Sequence, residues 1–155
     1  MKKVEIKLKR SAIAPLLDFI KPLANDLKAG RGVDPVLPDD LDSELRASWR
    51  RDLVESSGKD ADTLMGLFDS RFFEDGAIEI HAENAESVLR ASAAIRLRLR
   101  SAFLTKFSDA DLESGMLDHG RMTREEQRAY GCFLFMATIQ EVVVEHLDAI
   151  EGRDS

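Results

Sequence analysis

Val4, Ile6 and Leu8 alternate with Lys3, Glu5, Lys7 and Lys9. This period of two marks a half-buried strand over residues 3–9, charged on its outer face. From Ser11 the period changes. Ile13, Leu16, Leu17, Ile20, Leu23, Ala24 and Leu27 form one helical stripe, the mark of a helix with one inward face. Ser11 is placed to cap it, Pro22 to kink or split it, and Gly30 and Gly32 to end it. Residues 31–40 carry Pro35, Pro38, Asp39 and Asp40 and read as a loop. A second helix is expected from about Leu41 to Ser56, with Leu41, Leu45, Trp49 and Leu53 facing inward and Gly58 as its breaker. Asp60 then caps a short helix bearing Leu64, Met65, Leu67 and Phe68, and Phe72 and Phe73 anchor the core beneath a turn at Glu74-Asp75-Gly76.

Residues 77–82 alternate again and read as a second strand. A lone strand leaves backbone groups unpaired, so strands 3–9 and 77–82 are expected to pair, antiparallel. Asn84 is placed to cap a long helix from Ala85 to about Phe107. Ile95-Arg96-Leu97-Arg98-Leu99-Arg100 alternates like a strand, yet no breaker lies between Ala85 and Lys106. Val88, Leu89, Ser92, Ile95, Leu99, Ala102 and Phe103 also give a helical stripe, so the helix is preferred. Ser108 with Asp111 resembles a capping box for a short helix ending near Leu117. Thr123 with Glu126 is a stronger one. The helix it opens is apolar nearly all round from Ala129 to Ile139, as a central helix would be. Further on, Glu141, Glu145 and Asp148 form a wet stripe, while Val143, Val144, Leu147 and Ile150 are expected inside. The tail Glu151–Ser155 is expected to fray. The reading is a mainly α fold: a multi-helix bundle around a buried C-terminal helix, with one small two-stranded sheet. No repeat or linker divides the chain, which reads as one domain over 1–155 with an ordered core of about 3–150.

Composition narrows the function. The 155 residues are 44% apolar and 33% charged, and the net charge is −7. That balance fits a globular chain and disfavours a nucleic-acid partner, because phosphate backbones are repelled. The single cysteine, Cys132, rules out an intrachain disulfide. The first residues lack the apolar run of a signal peptide, and no stretch is apolar enough to span a bilayer, so the cytoplasm is the expected compartment.

Candidate chemistry is sparse. His81-Ala82-Glu83 matches the H-x-E half of the zinc-deaminase signature, but the P-C-x-x-C half needs two cysteines. Glu141, Glu145 and His146 invite a bundle metal site. That site requires Glu-x-x-His pairs, whereas Glu145 and His146 are adjacent and point about 100° apart. Gathering His81, His119 and His146 would require three distant segments to meet. No phosphate-binding glycine loop is present, and no cofactor is expected. Cys132 lies on the most apolar helix and reads as a buried, inert thiol. The arginines stand out: Arg90, Arg96, Arg98 and Arg100 on one helix, Arg46, Arg50 and Arg51 on another. Their planar forks suit carboxylates and phosphates. With 29 acids against 22 Lys and Arg, internal ion pairs are the first expectation. An anion site at Arg96, Arg100 and the loop residue His119 is the alternative.

Several stretches together resemble a known pattern: Val4–Arg10, Leu16–Leu27, Asp34-Pro35 with Pro38-Asp39, Trp49-Arg50-Arg51, Ala91–Leu99 and Tyr130–Leu147. The layout is similar to that of a bacterial family named domain of unknown function number two thousand and seventeen. In the family's last helix a Tyr-Asp-Trp-Leu-like run stands where this chain has Tyr130-Gly131-Cys132-Phe133-Leu134. The resemblance implies no catalytic residues. Because some relatives are encoded near the adaptor of the Clp protease, it implies a regulatory or adaptor-like role. Because no complete catalytic or cofactor motif is present, and the last helix with Phe68, Phe72 and Phe73 offers apolar side chains for a partner surface, the expected function is a non-enzymatic interaction or regulatory protein, binding another protein or itself as a homodimer, with the arginine-lined anion pocket as its rival.

Overall fold

The structure, a computed structural model, describes residues 3–31, 42–114 and 117–146. Gly32, the loop to Asp40, Leu41, the expected approach of the fifth helix to Leu117 through 115–116, Leu147, Asp148, Ile150 and the tail fall outside those residues. The order is β1 (Lys3–Lys7), α1 (Arg10–Lys28), α2 (Ser43–Gly66), α3 (Ser70–Asp75), β2 (Ala77–His81), α4 (Ala85–Phe103), α5 (Asp109–Ser114), a 3-10 turn (His119–Arg121) and α6 (Arg124–Glu145).

β1 and β2 pair antiparallel, with Val4 opposite Ile80 and Ile6 opposite Ile78. Ile78 and Ile80 are buried, and Val4 and Ile6 pack partly against the core. On the other face Glu5 lies opposite Glu79, a like-charged pair that would weaken the ladder. Arg71 from α3 bridges both carboxylates, and Lys3 Nζ reaches Glu79 Oε1 at 3.0 Å.

Lys9, not Ser11, stands at the start of α1, and no side chain caps it. Pro22 does not split the helix, which runs unbroken through Pro15 and Pro22. The two prolines lie seven residues apart, two turns, and both are exposed. Their missing donors therefore weaken only the solvent side, while Ile13, Leu17, Ile20, Leu23, Ala24 and Leu27 hold the other in the core. Gly30, at φ +82°, closes the helix: its N–H donates to Leu27 O and that of Arg31 to Asp26 O, the Schellman pattern.

The largest corrections concern α2. One 24-residue helix replaces the two that were expected. Asp42 caps it, its Oδ1 accepting from Leu45 N at 2.7 Å. Gly58 does not break it, and there α2 passes so close to α1 that a Cβ would stand 3.5 Å from Lys28 Cα. Asp60 caps nothing: it is 6% exposed in the helix interior. Leu45, Trp49 and Leu53 are 39%, 45% and 43% exposed rather than inward. The physical reason is length. The end of α1 lies beside residues 50–58 of α2, and the buried positions of α2 are Asp60, Ala61 and Leu64. Among the described residues, the first turns reach past the elements that would cover them.

Phe72 is a core anchor, but Phe73 is 52% exposed. Gly76, at φ +71°, ends α3. α4 is helical through Ile95–Arg100, as its stripe predicts, but stops at Phe103, and Ala102 is exposed. Asn84 does not cap it. Its Oδ1 accepts from His81 N and its Nδ2 donates to Glu79 O, so it ties the helix to β2 instead. Both capping boxes form as expected, Ser108 with Asp111 and Thr123 with Glu126. α6 buries Ala129, Tyr130, Cys132, Phe133, Phe135, Met136, Ile139 and Val143. It runs antiparallel to α4: Gln140 reaches Leu89, Arg96 lies over Phe133, and Lys106, just past α4, pairs with Glu126. Val144, expected inside, is 61% exposed because it sits one position round from buried Val143.

Candidate functional site

Each arginine of α4 finds an internal partner. Arg90 donates from Nε and Nη2 to the two oxygens of Asp60, at 2.9 and 3.1 Å. That bond carries α4 onto α2. Arg98 Nη2 reaches Asp26 Oδ2 at 3.5 Å, and so ties α4 to the end of α1. Arg100 Nε lies 2.7 Å from Asp109 Oδ1, at the first turn of α5. Arg96 has no acid. Its Nη1 donates to Gln140 Oε1 at 2.7 Å, and its guanidinium sits 4.6 Å from the Phe133 ring centroid, a cation–π contact. On α2, Arg50 donates to Gly30 O and Arg51 to Ala47 O.

Two of the three anion-site candidates come together. Arg96 and Arg100 line one open cavity of about 370 Å³ with Leu97, Phe133, Asp109 and Glu113. His119 does not line it. That residue lies in the exposed 3-10 turn, its ring 6.0 Å from Tyr130, edge to face, and its carbonyl accepts from Gln127 Nε2. Arg96 also lines a neighbouring shallow cavity of about 590 Å³, with Gln140, Glu141, Val144 and Glu145. The arginines are thus joined in their cavities by four carboxylates, Asp109, Glu113, Glu141 and Glu145. In the cavity that both arginines line, two carboxylates balance the two guanidiniums, and the neighbouring cavity adds two more carboxylates.

The other titratable candidates are dispersed. His81 ends β2 at a cleft of about 190 Å³ shared with Asp69, Arg71, Glu79 and Asn84. Its Nδ1 accepts from Glu83 N at 3.3 Å, and Arg71 holds the Glu79 carboxyl below the usual carboxylate range, with help from Lys3. His146 closes α6 and is exposed, as are Glu141 and Glu145. Among the described residues no group of three or more His, Cys, Asp or Glu could hold a metal ion. Cys132 is buried, its Sγ donating to Leu16 O at 3.6 Å, and burial pushes its thiol up to about 12. Such a thiol has almost no thiolate at neutral pH and is a poor nucleophile.

A family model described as Domain of unknown function (DUF2017) matches residues 28–147. The chain belongs to that family. The DUF2017 match runs from the last residue of α1 to the end of α6 and so contains Arg96, Arg100, His119 and the whole of α2. No curated protein and no solved structure matches the chain. No helix among the described residues is long and apolar enough to cross a membrane.

Sequence reasoning missed the exposed apolar stripe of this DUF2017 chain. Leu45, Trp49 and Leu53 repeat every four residues, and that spacing alone reads as an inward face. The available signal was their company. Glu44, Arg46, Arg50, Arg51, Asp52 and Glu55 surround the stripe on a helix whose small apolar anchors, Ala61 and Leu64, come only in its last turns.

Proposed function

We propose that this DUF2017 chain is a non-enzymatic protein-interaction or regulatory module that self-associates through the amino-terminal half of α2. The observation that carries the reading is the stripe of Leu45, Trp49 and Leu53 in solvent contact on one helix face. Single exposed apolar residues are ordinary, whereas a contiguous patch marks a binding surface, and Trp is prominent among interface anchors. Spacing selects the partner. The two leucines lie four residues either side of Trp49. Two copies related by a two-fold axis at Trp49 would set each Leu45 against the other's Leu53 and Trp49 against Trp49. A two-fold interface needs that self-complementarity. A cytoplasmic setting suits the lone unoxidised thiol of Cys132. Anion binding is less well supported, because Arg100 is already held by Asp109 and the cavity adds Glu113.

Light scattering on a size-exclusion column, across a range of concentrations, tests the reading. The wild-type mass is expected to rise from that of one 17.3 kDa chain toward twice that value. Trp49→Glu, a change at an exposed position, is expected to keep its helical circular dichroism and stay at the single-chain mass. A wild-type protein that remains strictly monomeric at the highest concentration would sink the reading.

A further inference from the structure

We infer that the groove between α4 and α6 receives a cationic amphipathic helix from a partner protein. The inference rests on the interaction-module reading but uses a different face and a different occupant. Its floor is apolar. Leu97 and Val144, at 69% and 61%, are the most exposed large apolar side chains among the described residues. Leu97 lines one cavity with Ala93 and Phe133, Val144 lines the next with Ala137, and Arg96 borders both. The two cavities are neighbours that meet at Arg96, whose side chain crosses to Gln140 and Phe133 between them. Along α6 their lining runs from Phe133 to Glu145, about 18 Å at 1.5 Å per residue. That length fits about three turns of a docked helix, which presents anchors at i, i+4 and i+7 or i+8.

Charge selects the sign of the occupant. Four carboxylates line the two cavities with two guanidiniums, and each guanidinium already has a partner: Arg100 has Asp109, and Arg96 has Gln140 and the Phe133 ring. Among the described residues Glu113, Glu141 and Glu145 have no ion-pair partner. Glu141 and Glu145 are an i, i+4 pair of like charges, which is unfavourable on a helix. They also lie in the last turns of α6, where the macrodipole is negative, and the last turn holds no Lys or Arg of its own. Both penalties are relieved by cations supplied from outside. A helix with leucine-like anchors and flanking Lys or Arg meets the floor and the rim together.

The test uses the full chain and two labelled synthetic peptides of about 14 residues, helical by pattern, one of Leu and Lys and one of Leu and Glu. Fluorescence anisotropy is the readout, with circular dichroism to confirm the fold of each variant. The Leu/Lys peptide is expected to bind and the Leu/Glu peptide not to. Glu141→Lys with Glu145→Lys is expected to weaken binding at least tenfold, and Leu97→Ser with Val144→Ser to weaken it by a similar factor. Trp49→Glu is expected to leave binding unchanged, which separates this groove from the α2 stripe. Absence of Leu/Lys binding, preference for the Leu/Glu peptide, or equal binding by wild type and both groove variants would each overturn the inference. A wild type that is monomeric yet binds the Leu/Lys peptide with these losses supports the groove and removes only the self-association.

Discussion

Asp60 shows how one buried side chain can organise two helices. At 6% exposure its carboxylate has lost most of its water, a costly state for an unpaired charge. Arg90 answers with two aligned N–H donors, 2.9 and 3.1 Å from the two oxygens, the bidentate geometry for which arginine is suited. The arginine end is about half exposed, so solvent screens part of the attraction. Arg90→Ala is therefore expected to cost about 1–3 kcal/mol, mainly through the carboxylate left behind. Urea denaturation checks this. Adding Asp60→Asn to Arg90→Ala is expected to recover part of the loss, since the stranded charge is gone. A double variant no more stable than Arg90→Ala would show that the carboxylate was not the source. Sequence could indicate that the arginines would find acids, because acids outnumber them. It could not indicate which acid, because Asp60 and Arg90 are thirty residues apart and meet only once α2 and α4 pack.

At the scale of elements, local signals were legible and those depending on neighbours were not. Both capping boxes, Thr123 with Glu126 and Ser108 with Asp111, were readable because the reciprocal bonds join residues three apart. The strand pair was readable because unpaired strands must find partners. The helical stripe of α4 outweighed its alternation because no breaker interrupts it. The misreadings in α2 share one cause. A glycine, an acid and an apolar stripe each have two meanings, and the neighbouring helix decides between them. The same dependence explains the site, where Arg96 and Arg100 share a helix face and so share a cavity, but His119 was assigned by residue type and loop position alone. The glycines make the point testable. Gly58 is helical, and a Cβ there would make only ordinary contact with Lys28. Gly58→Ala is expected to stabilise by about 0.5–1 kcal/mol through higher helix propensity. Gly76 has φ +71°, and a Cβ there would stand 2.8 Å from Leu8 O. Gly76→Ala is expected to destabilise by more than about 1 kcal/mol. Thermal melts should move in opposite directions, and a fall in Tm for Gly58→Ala would contradict the close but unstrained packing of α1 on α2.

For the whole molecule, elements that share one apolar core are also joined by ion pairs, and acid is expected to loosen those pairs together. Two of the carboxylates are held below their ordinary value of 4.5. Glu79 is lowered first by the hydrogen bond from Arg71 and then by that from Lys3, and it links β2 to α3 and β1. Glu126 is lowered first by the backbone N–H of Thr123 and then by Lys106, and it fixes the start of α6 against the segment after α4. In the unfolded chain both return to the ordinary value. Above it they are ionised in both states, and the folded form keeps their full stabilisation. Below it the unfolded state takes up protons that the folded state resists, so folding stability falls with pH until the folded values are passed. The direction is fixed by the sign of the shifts: stability is expected to be flat from neutral pH to about 5 and to decline progressively below about 4.5. Urea midpoints measured from pH 7 down to pH 3 give the curve. Glu126→Gln should flatten its acid limb, because the variant has no proton to take up there, and should lower the neutral plateau, because the charge-assisted bonds to Thr123 and Lys106 are weakened. A variant with an unchanged acid limb would place the acid sensitivity at other joints, with Glu79 the first to substitute.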